Sequence, residues 1–301
     1  MNDLIKEINE LRKEKDAVIL AHYYVDGAIQ EIADYVGDSF YLAQKAREDP
    51  RRTIVFCGVT FMGESASVLN PDKTVLIPAD DAVCPMALMA DRDEIKKVRE
   101  EYDDLAVVCY INSMAETKTL CDVCVTSSNA VKIVKGLPQK NIYFIPDQNL
   151  ARFVAEQCPE KNVIPGYGFC HVHHYMEPAD VEQMKKDHPG AQVLAHPECN
   201  AGIIALADYI GSTKGIINHA VESDCDEFII CTESGVEHEL RTRAPEKKFY
   251  FAANQICPNM KKLTLEKVRD CLKNGQPVAE VTEEVRKAAM IPLERMLELG
   301  K

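Results

Sequence analysis

Apolar residues along this chain fall into short continuous runs separated by amphipathic stretches, the pattern expected of buried parallel strands alternating with helices. An amphipathic helix over residues 2–15, with Leu4, Ile5, Ile8 and Leu11 on one face, leads into the strand run 17–22 (AVILAH). A helical stretch is predicted around 30–36, then Gly37-Asp38-Ser39 and a second helix through Ala46. Residues 53–58 (TIVFCG) read as a strand, 63–69 as a short helix and 74–78 (TVLIP) as a strand, before a loop that carries Cys84.

The same order then restarts twice. Residues 91–102 are predicted helical, 105–112 (LAVVCYIN) a strand, 123–127 (VCVTS) a strand end leading into a helix, 142–146 a strand and 149–157 a helix. Residues 162–165 then run into Cys170. A helix over 179–186 precedes the run 192–196 (QVLAH), then 209–213 (YIGST), strands at 227–231 and 248–252, and Cys257. Three markers recur at nearly one period. The cysteines are separated by 170 − 84 = 86 and 257 − 170 = 87 residues. The first-strand ends His22, Asn112 and His196 are separated by 90 and 84, and the hydroxyl turns at Ser39, Ser127 and Ser212 by 88 and 85.

A unit this long, alternating strand and helix, can bury its own sheet, so it is not a solenoid repeat. The fold expected is α/β: three pseudo-symmetric, Rossmann-like domains with parallel sheets, over 1–90, 91–176 and 177–263, around a central cavity. A helical tail over 264–301 follows, with Thr264 and Thr282 as N-caps, Gly275 as a stop and a kink at Pro292. The tail is expected to clamp the packing and to carry no chemistry.

Composition narrows the function. Hydrophobic residues make up 46% and charged residues 28% of the 301, as in ordinary soluble proteins. A net charge of −13 with no basic cluster argues against nucleic acid as a partner. No signal-peptide pattern and no bilayer-length apolar run is seen, so a cytoplasmic, non-membrane protein is expected. There the 12 cysteines are candidates for metal or catalytic roles rather than a disulfide framework.

The stretch 166–175 (GYGFCHVHHY) places Cys170 beside His171, His173 and His174. Sulfur and imidazole this close suggest a metal site, and Cys170 is the middle member of the repeating set. In open parallel sheets, ligands sit beyond the carboxyl ends of the strands. His22 and Tyr24, Tyr110 and Asn112, His196 and Glu198, the hydroxyl turns and the three cysteine loops all fall there. Three converging thiolates fit an iron–sulfur cluster with one iron left open as a Lewis acid. They also fit zinc held by three cysteines with His171 or His173; ligands more than 80 residues apart favour the cluster. Cys121-x-x-Cys124 has no matching second pair and is read as core. A nicotinamide-dependent enzyme would want G-x-G-x-x-G where His22-Tyr23-Tyr24 stands, and a non-catalytic iron–sulfur sensor would not need converging His, Glu and Tyr groups.

The segments AHYY (21–24), GDS (37–39), GVTFMGE (58–64), CPMA (84–87), YINS (110–113), HPEC (196–199), GST (211–213) and CPNMKK (257–262) resemble the quinolinate synthase family, in order and through nearly the whole chain. The resemblance implies a 4Fe–4S cluster held by Cys84, Cys170 and Cys257. It implies condensation of iminoaspartate with dihydroxyacetone phosphate to quinolinate, with release of phosphate and water, in NAD biosynthesis, and coupling to an enzyme that oxidises L-aspartate. Carried over by motif, the substrate side comprises His22, Asp38, Ser39, Tyr110, Asn112, Ser127, His173, His196, Glu198, Ser212 and Thr213. Glu198, His22, His196, Tyr24 and Tyr110 are the catalytic candidates, with Glu198 as main base and Tyr24 as a positioned donor. His171 and His174 are left with structural roles. Thr60, where some relatives carry Asp, and His171, where Pro is common, depart from the family pattern.

Overall fold

The apolar runs pair into three parallel four-stranded sheets in the computed structural model, which describes residues 2–301. The first third of the chain supplies α1 (Asn2–Glu14), β1 (Ala17–His22), α2 (Gly27–Ile32), β2 (Tyr35–Gly37), α3 (Ser39–Glu48), β3 (Thr53–Cys57), α4 (Thr60–Leu69) and β4 (Thr74–Leu76). The second supplies α5 (Arg92–Glu101), β5 (Leu105–Tyr110), α6 (Ala115–Lys118), β6 (Val123–Val125), α7 (Ala130–Gly136), β7 (Asn141–Ile145), α8 (Gln148–Gln157) and β8 (Asn162–Pro165). The second also includes α9 (His171–His174), and the third supplies α10 (Pro178–Asp187), β9 (Gln192–Ala195), α11 (Ala201–Leu206), β10 (Tyr209–Ile210), α12 (Thr213–Glu222), β11 (Glu227–Cys231), α13 (Val236–Arg243) and β12 (Lys248–Phe251). Each sheet runs second–first–third–fourth: β2-β1-β3-β4, β6-β5-β7-β8 and β10-β9-β11-β12.

The register makes the three units comparable residue by residue. Cys57 lies opposite Ala21, Ile145 opposite Cys109 and Cys231 opposite Ala195. His22, Tyr110 and His196, one residue beyond, therefore occupy one position in three copies. Two polar devices repeat with them. Asp34, Asp122 and Asp208 each precede the second strand and clip it to the first. Each backbone N–H donates to Ile19, Val107 or Val193 O, and each carboxylate accepts that residue's N–H at 2.7–2.8 Å. Lys73, Lys161 and Lys247 each donate Nζ to carbonyls at the end of α3, α7 or α12, where a cation also meets the negative end of the helix dipole.

Most predicted elements are present, and two expectations need correcting. Residues 30–36 are not one helix: α2 stops at Ile32, and Tyr35–Gly37 is an edge strand. Three residues are too few to show a strand period, and the Asp34 clip, a tertiary contact, decides the matter. In the tail, α14 (Leu265–Asn274) and α15 (Glu283–Leu299) form as expected from the Thr264 and Thr282 caps, with Gly275 at φ 67° ending the first. Pro292 sits inside α15 without ending it. The link between them is not merely helical, because Ala279 N–H donates to Val75 O and Ile77 N–H to Pro277 O, adding a bridge to the edge of the first sheet. α14 packs on α1 and β3, and α15 on α4, α6 and β6, so the tail joins the first two units in one continuous core. Among the described residues no helix is long and apolar enough to cross a membrane.

Candidate active site

The carboxyl ends of all three sheets open on one cavity. His22, Tyr110 and His196 line it from the ends of β1 and β5 and just beyond β9, and two residues on stand Tyr24, Asn112 and Glu198. The turns after the second strands add Asp38, Ser39, Thr126, Ser127 and Thr213. Of the residues expected on the substrate side only Ser212 is not in the wall. Its Oγ accepts the Gly215 N–H at 3.2 Å and caps α12, which leaves Thr213 to face inward. Asp38 caps α3 in the same way, through Tyr41 N–H at 2.9 Å, yet lines the cavity too. Two helix starts, of α3 and α12, thus meet the cavity with their N–H groups, a setting that favours anions despite the chain's negative charge.

Backbone hydrogen bonds fix two imidazoles in one tautomer. The Tyr24 N–H donates to His22 Nδ1 at 3.2 Å, and the Glu198 N–H donates to His196 Nδ1 at 3.3 Å. With Nδ1 accepting, each ring carries its proton on Nε2; that of His196 points at Ser127 Oγ, 3.2 Å away. Burial lowers both rings to about 3, against an opposing pull from Glu198. At neutral pH they are neutral N–H donors. The 3.7 Å approach of His196 Nδ1 to Glu198 Oε2 is therefore not an ion pair.

Glu198 is 3% exposed. Burial pushes its carboxyl up, but the hydrogen bonds from His173 and the Tyr110 hydroxyl work against this and hold it below the usual carboxylate range. Its Oε2 lies 2.9 Å from His173 Nδ1, and its buried Oε1 has no partner. A carboxylate at Nδ1 makes that nitrogen the donor, so Nε2 accepts from the Thr232 hydroxyl at 2.9 Å. Thr232 Oγ1 in turn accepts from Tyr24 OH at 2.9 Å, and Tyr24 OH accepts from Thr213 Oγ1 at 2.7 Å. One directional chain of hydrogen bonds therefore runs from Thr213 through Tyr24, Thr232 and His173 to Glu198. Burial and the nearby Glu198 push the Tyr24 and Tyr110 hydroxyls up, so both stay protonated. Asn112 Oδ1 is a second buried atom without a partner.

Of the twelve free cysteines eight are buried and four partly exposed; Cys84, Cys170 and Cys257 are three of those four, and all three line this cavity. Burial pushes their thiols up, Cys84 to about 12, with Glu198 and neighbouring thiols adding to the shift at Cys84 and Cys170. A bound cation would reverse that preference and hold thiolates. Cys170 Sγ, a His173 ring nitrogen and a Glu198 oxygen also lie within 4.8 Å of one another, a group able to hold a metal. Cys121 and Cys124 are buried outside the cavity wall. His174 hydrogen-bonds Asn149 Nδ2 at 3.0 Å, a structural role, whereas His171 lines the cavity.

Three residues escaped sequence reasoning: Thr232, Glu233 and Asp147, whereas Thr126 belongs to the hydroxyl turn already expected at this face. Thr232 and Glu233 directly follow β11 and Asp147 follows β7 by two, so the position after the third strand was the available signal. It had no marker residue shared by all three units.

A family-wide sequence profile described as Quinolinate synthetase A protein matches residues 6–298. A quinolinate synthase of Fusobacterium nucleatum is 55% identical over 300 residues, covering 100% of this chain and 99% of its own. Those of Caldicellulosiruptor bescii and Clostridioides difficile are 50% and 46% identical, each over 99% of this chain and 98% and 99% of their own. With a cavity that places every motif of the resemblance at one set of strand ends, the chain belongs to the quinolinate synthase family of enzymes.

Proposed function

We propose that this chain condenses iminoaspartate with dihydroxyacetone phosphate to quinolinate, releasing phosphate and two waters, as a step of NAD biosynthesis. The convergence of Cys84, Cys170 and Cys257 on one cavity opposite Glu198 carries the reading. These three fit a 4Fe–4S cluster: one thiol comes from each unit, all are accessible to the cavity, and no fourth cysteine lines it. When bound, such a cluster supplies a Lewis-acidic iron with one position free of thiolate. The overall reaction involves no net oxidation or reduction, which suits that role better than electron transfer.

The remaining work falls to side chains. Both substrates are anions, and the Nε2–H groups of His22 and His196, the hydroxyls of Ser39, Ser127 and Thr213, and the starts of α3 and α12 are donors for carboxylate and phosphate oxygens. Asn112, with Oδ1 unpartnered, supplies an acceptor for an imine or hydroxyl proton. Glu198, ionised and with Oε1 free, is the base that takes a carbon-bound proton. His173 holds Glu198 in place, and Tyr24 OH, refilled through Thr213, donates a proton to a departing oxygen. His22 and His196 are assigned as donors rather than bases, because Nδ1 is occupied and Nε2 already protonated.

Twelve free thiols support a reducing, cytoplasmic setting. Iminoaspartate hydrolyses readily, so an L-aspartate-oxidising enzyme working alongside would supply it. Anaerobic protein should contain four irons and four sulfides per chain and form quinolinate from the two substrates. Stoichiometric zinc without iron would instead favour a site on Cys170, His173 and Glu198, and absence of product with iron present would end the proposal.

A further inference from the structure

The position two residues beyond the third strand's end is Val59, Asp147 or Glu233 in the three units, by the register of β3, β7 and β11. In two of them it is an acid that accepts one N–H two or three residues on and one cysteine N–H, with Lys261 Nζ a further 3.7 Å from Glu233 Oε1. Asp147 Oδ1 accepts the Leu150 N–H at 2.7 Å, at the start of α8, and Oδ2 accepts the Cys170 N–H at 3.1 Å. Glu233 Oε2 accepts the Gly235 N–H at 2.7 Å, and Oε1 accepts the Cys257 N–H at 3.0 Å. Asp147 is 0% and Glu233 1% exposed. In the first unit Val59 has no acceptor to offer, and among the described residues the Cys84 N–H donates to no protein atom.

We propose that Asp147 and Glu233 are positioning residues: each ties a cysteine loop to a strand end and commits the cysteine's own amide, so that Cys170 and Cys257 are held alike and Cys84 differently. The part concerning a cluster rests on the proposed function; the clamp itself does not. Hydrogen bonds to sulfur and outer groups around ligands tune cluster potential and metal affinity. An N–H engaged by a carboxyl group is withheld from the sulfurs, so releasing it shifts the potential in the positive direction and loosens the loop.

Asp147→Asn and Glu233→Gln keep the shape and replace one acceptor oxygen by an NH2 group. In metal-free protein, amide hydrogen exchange is expected to quicken about tenfold, the equivalent of one lost hydrogen bond. It should do so around Cys170 in D147N only and around Cys257 in E233Q only. After anaerobic reconstitution, both variants should lose iron to a chelator about tenfold faster and show a more positive midpoint potential. Exchange that is unchanged, or that rises across the whole chain, overturns the clamp whether or not the wild type binds a cluster. Local exchange with unaltered iron loss and potential overturns its role toward the cluster, and a wild type that takes up no iron sinks the cluster reading alone.

Discussion

Thr232→Val is the most informative single change, because it alters one atom in the middle of the hydrogen-bond chain. Thr232 is fully buried and is not part of the cavity wall; valine fills nearly the same volume. The substitution removes the two contacts of 2.9 Å to His173 Nε2 and Tyr24 OH. Tyr24 can turn to Thr213, still 2.7 Å away, so one acceptor, His173 Nε2, is stranded. Leaving a buried acceptor unpaired costs about 1–3 kcal/mol, which equilibrium unfolding in urea would read. The larger expected effect is catalytic. His173 Nε2 loses the donor that steadies its ring against Glu198, and the hydrogen-bond path from Tyr24 to His173 and Glu198 is cut. A fall in kcat of about 10²-fold is expected, at the low end for positioned acid–base catalysis, with KM little changed and Thr232→Ser close to wild type. A T232V protein with normal kcat would show that the chain is structural and carries no proton.

Three further outcomes follow from the site. His22 and His196 are lowered to about 3 from an unfolded value near 6.5, so below pH 6.5 the unfolded state binds more protons and stability falls as pH drops toward 3. Each contributes a slope of about 1.4 kcal/mol per pH unit in that window; His22→Asn should remove one such slope from urea unfolding measured at pH 4.5–6.5, and an unchanged slope would contradict a neutral His22. Cys84→Ala, Cys170→Ala and Cys257→Ala should each lose iron and visible absorption, whereas Cys121→Ala and Cys124→Ala should keep both by metal analysis. At Gly235 an added Cβ would lie 2.7 Å from Glu233 Oε2 and from the Tyr24 backbone. Gly235→Ala should therefore destabilise by about 1–3 kcal/mol in a denaturation series and depress turnover together, through Tyr24.

What could be read from the chain, and what could not, follows from the range of the interactions. Strand runs such as 17–22 and 105–110 were legible because burial on both faces leaves a continuous apolar string. The three cysteine positions were legible because a repeat multiplies a weak signal by three, whereas the strand-end marker slipped by two in the second unit, where Tyr110 and not Asn112 matches His22 and His196. Tyr35–Gly37 was hidden by its length, and its strand conformation depends on Asp34 reaching Ile19, fifteen residues away. Ser212 and Thr213 could not be told apart for a subtler reason. Consecutive hydroxyls at 212 and 213 compete for one helix start, and only the backbone decides which one caps and which one faces the cavity. The tautomers of His22 and His196 were beyond any pattern, since they depend on an amide two residues along turning back onto Nδ1.

The three-fold register also shows how one repeated layout carries an asymmetric set of groups. Equivalent positions hold His22, Tyr110 and His196 at the strand end, then Tyr24, Asn112 and Glu198 two residues on. After the third strand they hold Gly58, Pro146 and Thr232, then Val59, Asp147 and Glu233. Only the first of these sets supplies a neutral hydrogen-bond donor from every unit, an arrangement suited to holding an anion from several sides. The second differs in every unit: an acid of high pKa, a neutral amide and a carboxylate held low. Widely separated proton affinities in one cavity are what allow a proton to leave one carbon and arrive at another oxygen. Thr232 is the only hydroxyl in its set, and it stands where it can join Tyr24 of the first unit to His173 and Glu198 on the far side. The cysteines preserve the symmetry and the proton-carrying groups break it, so ligand binding and acid–base chemistry should be separable by mutation: changes at Thr232 should spare iron content, and changes at Cys84 should spare the hydrogen-bond chain.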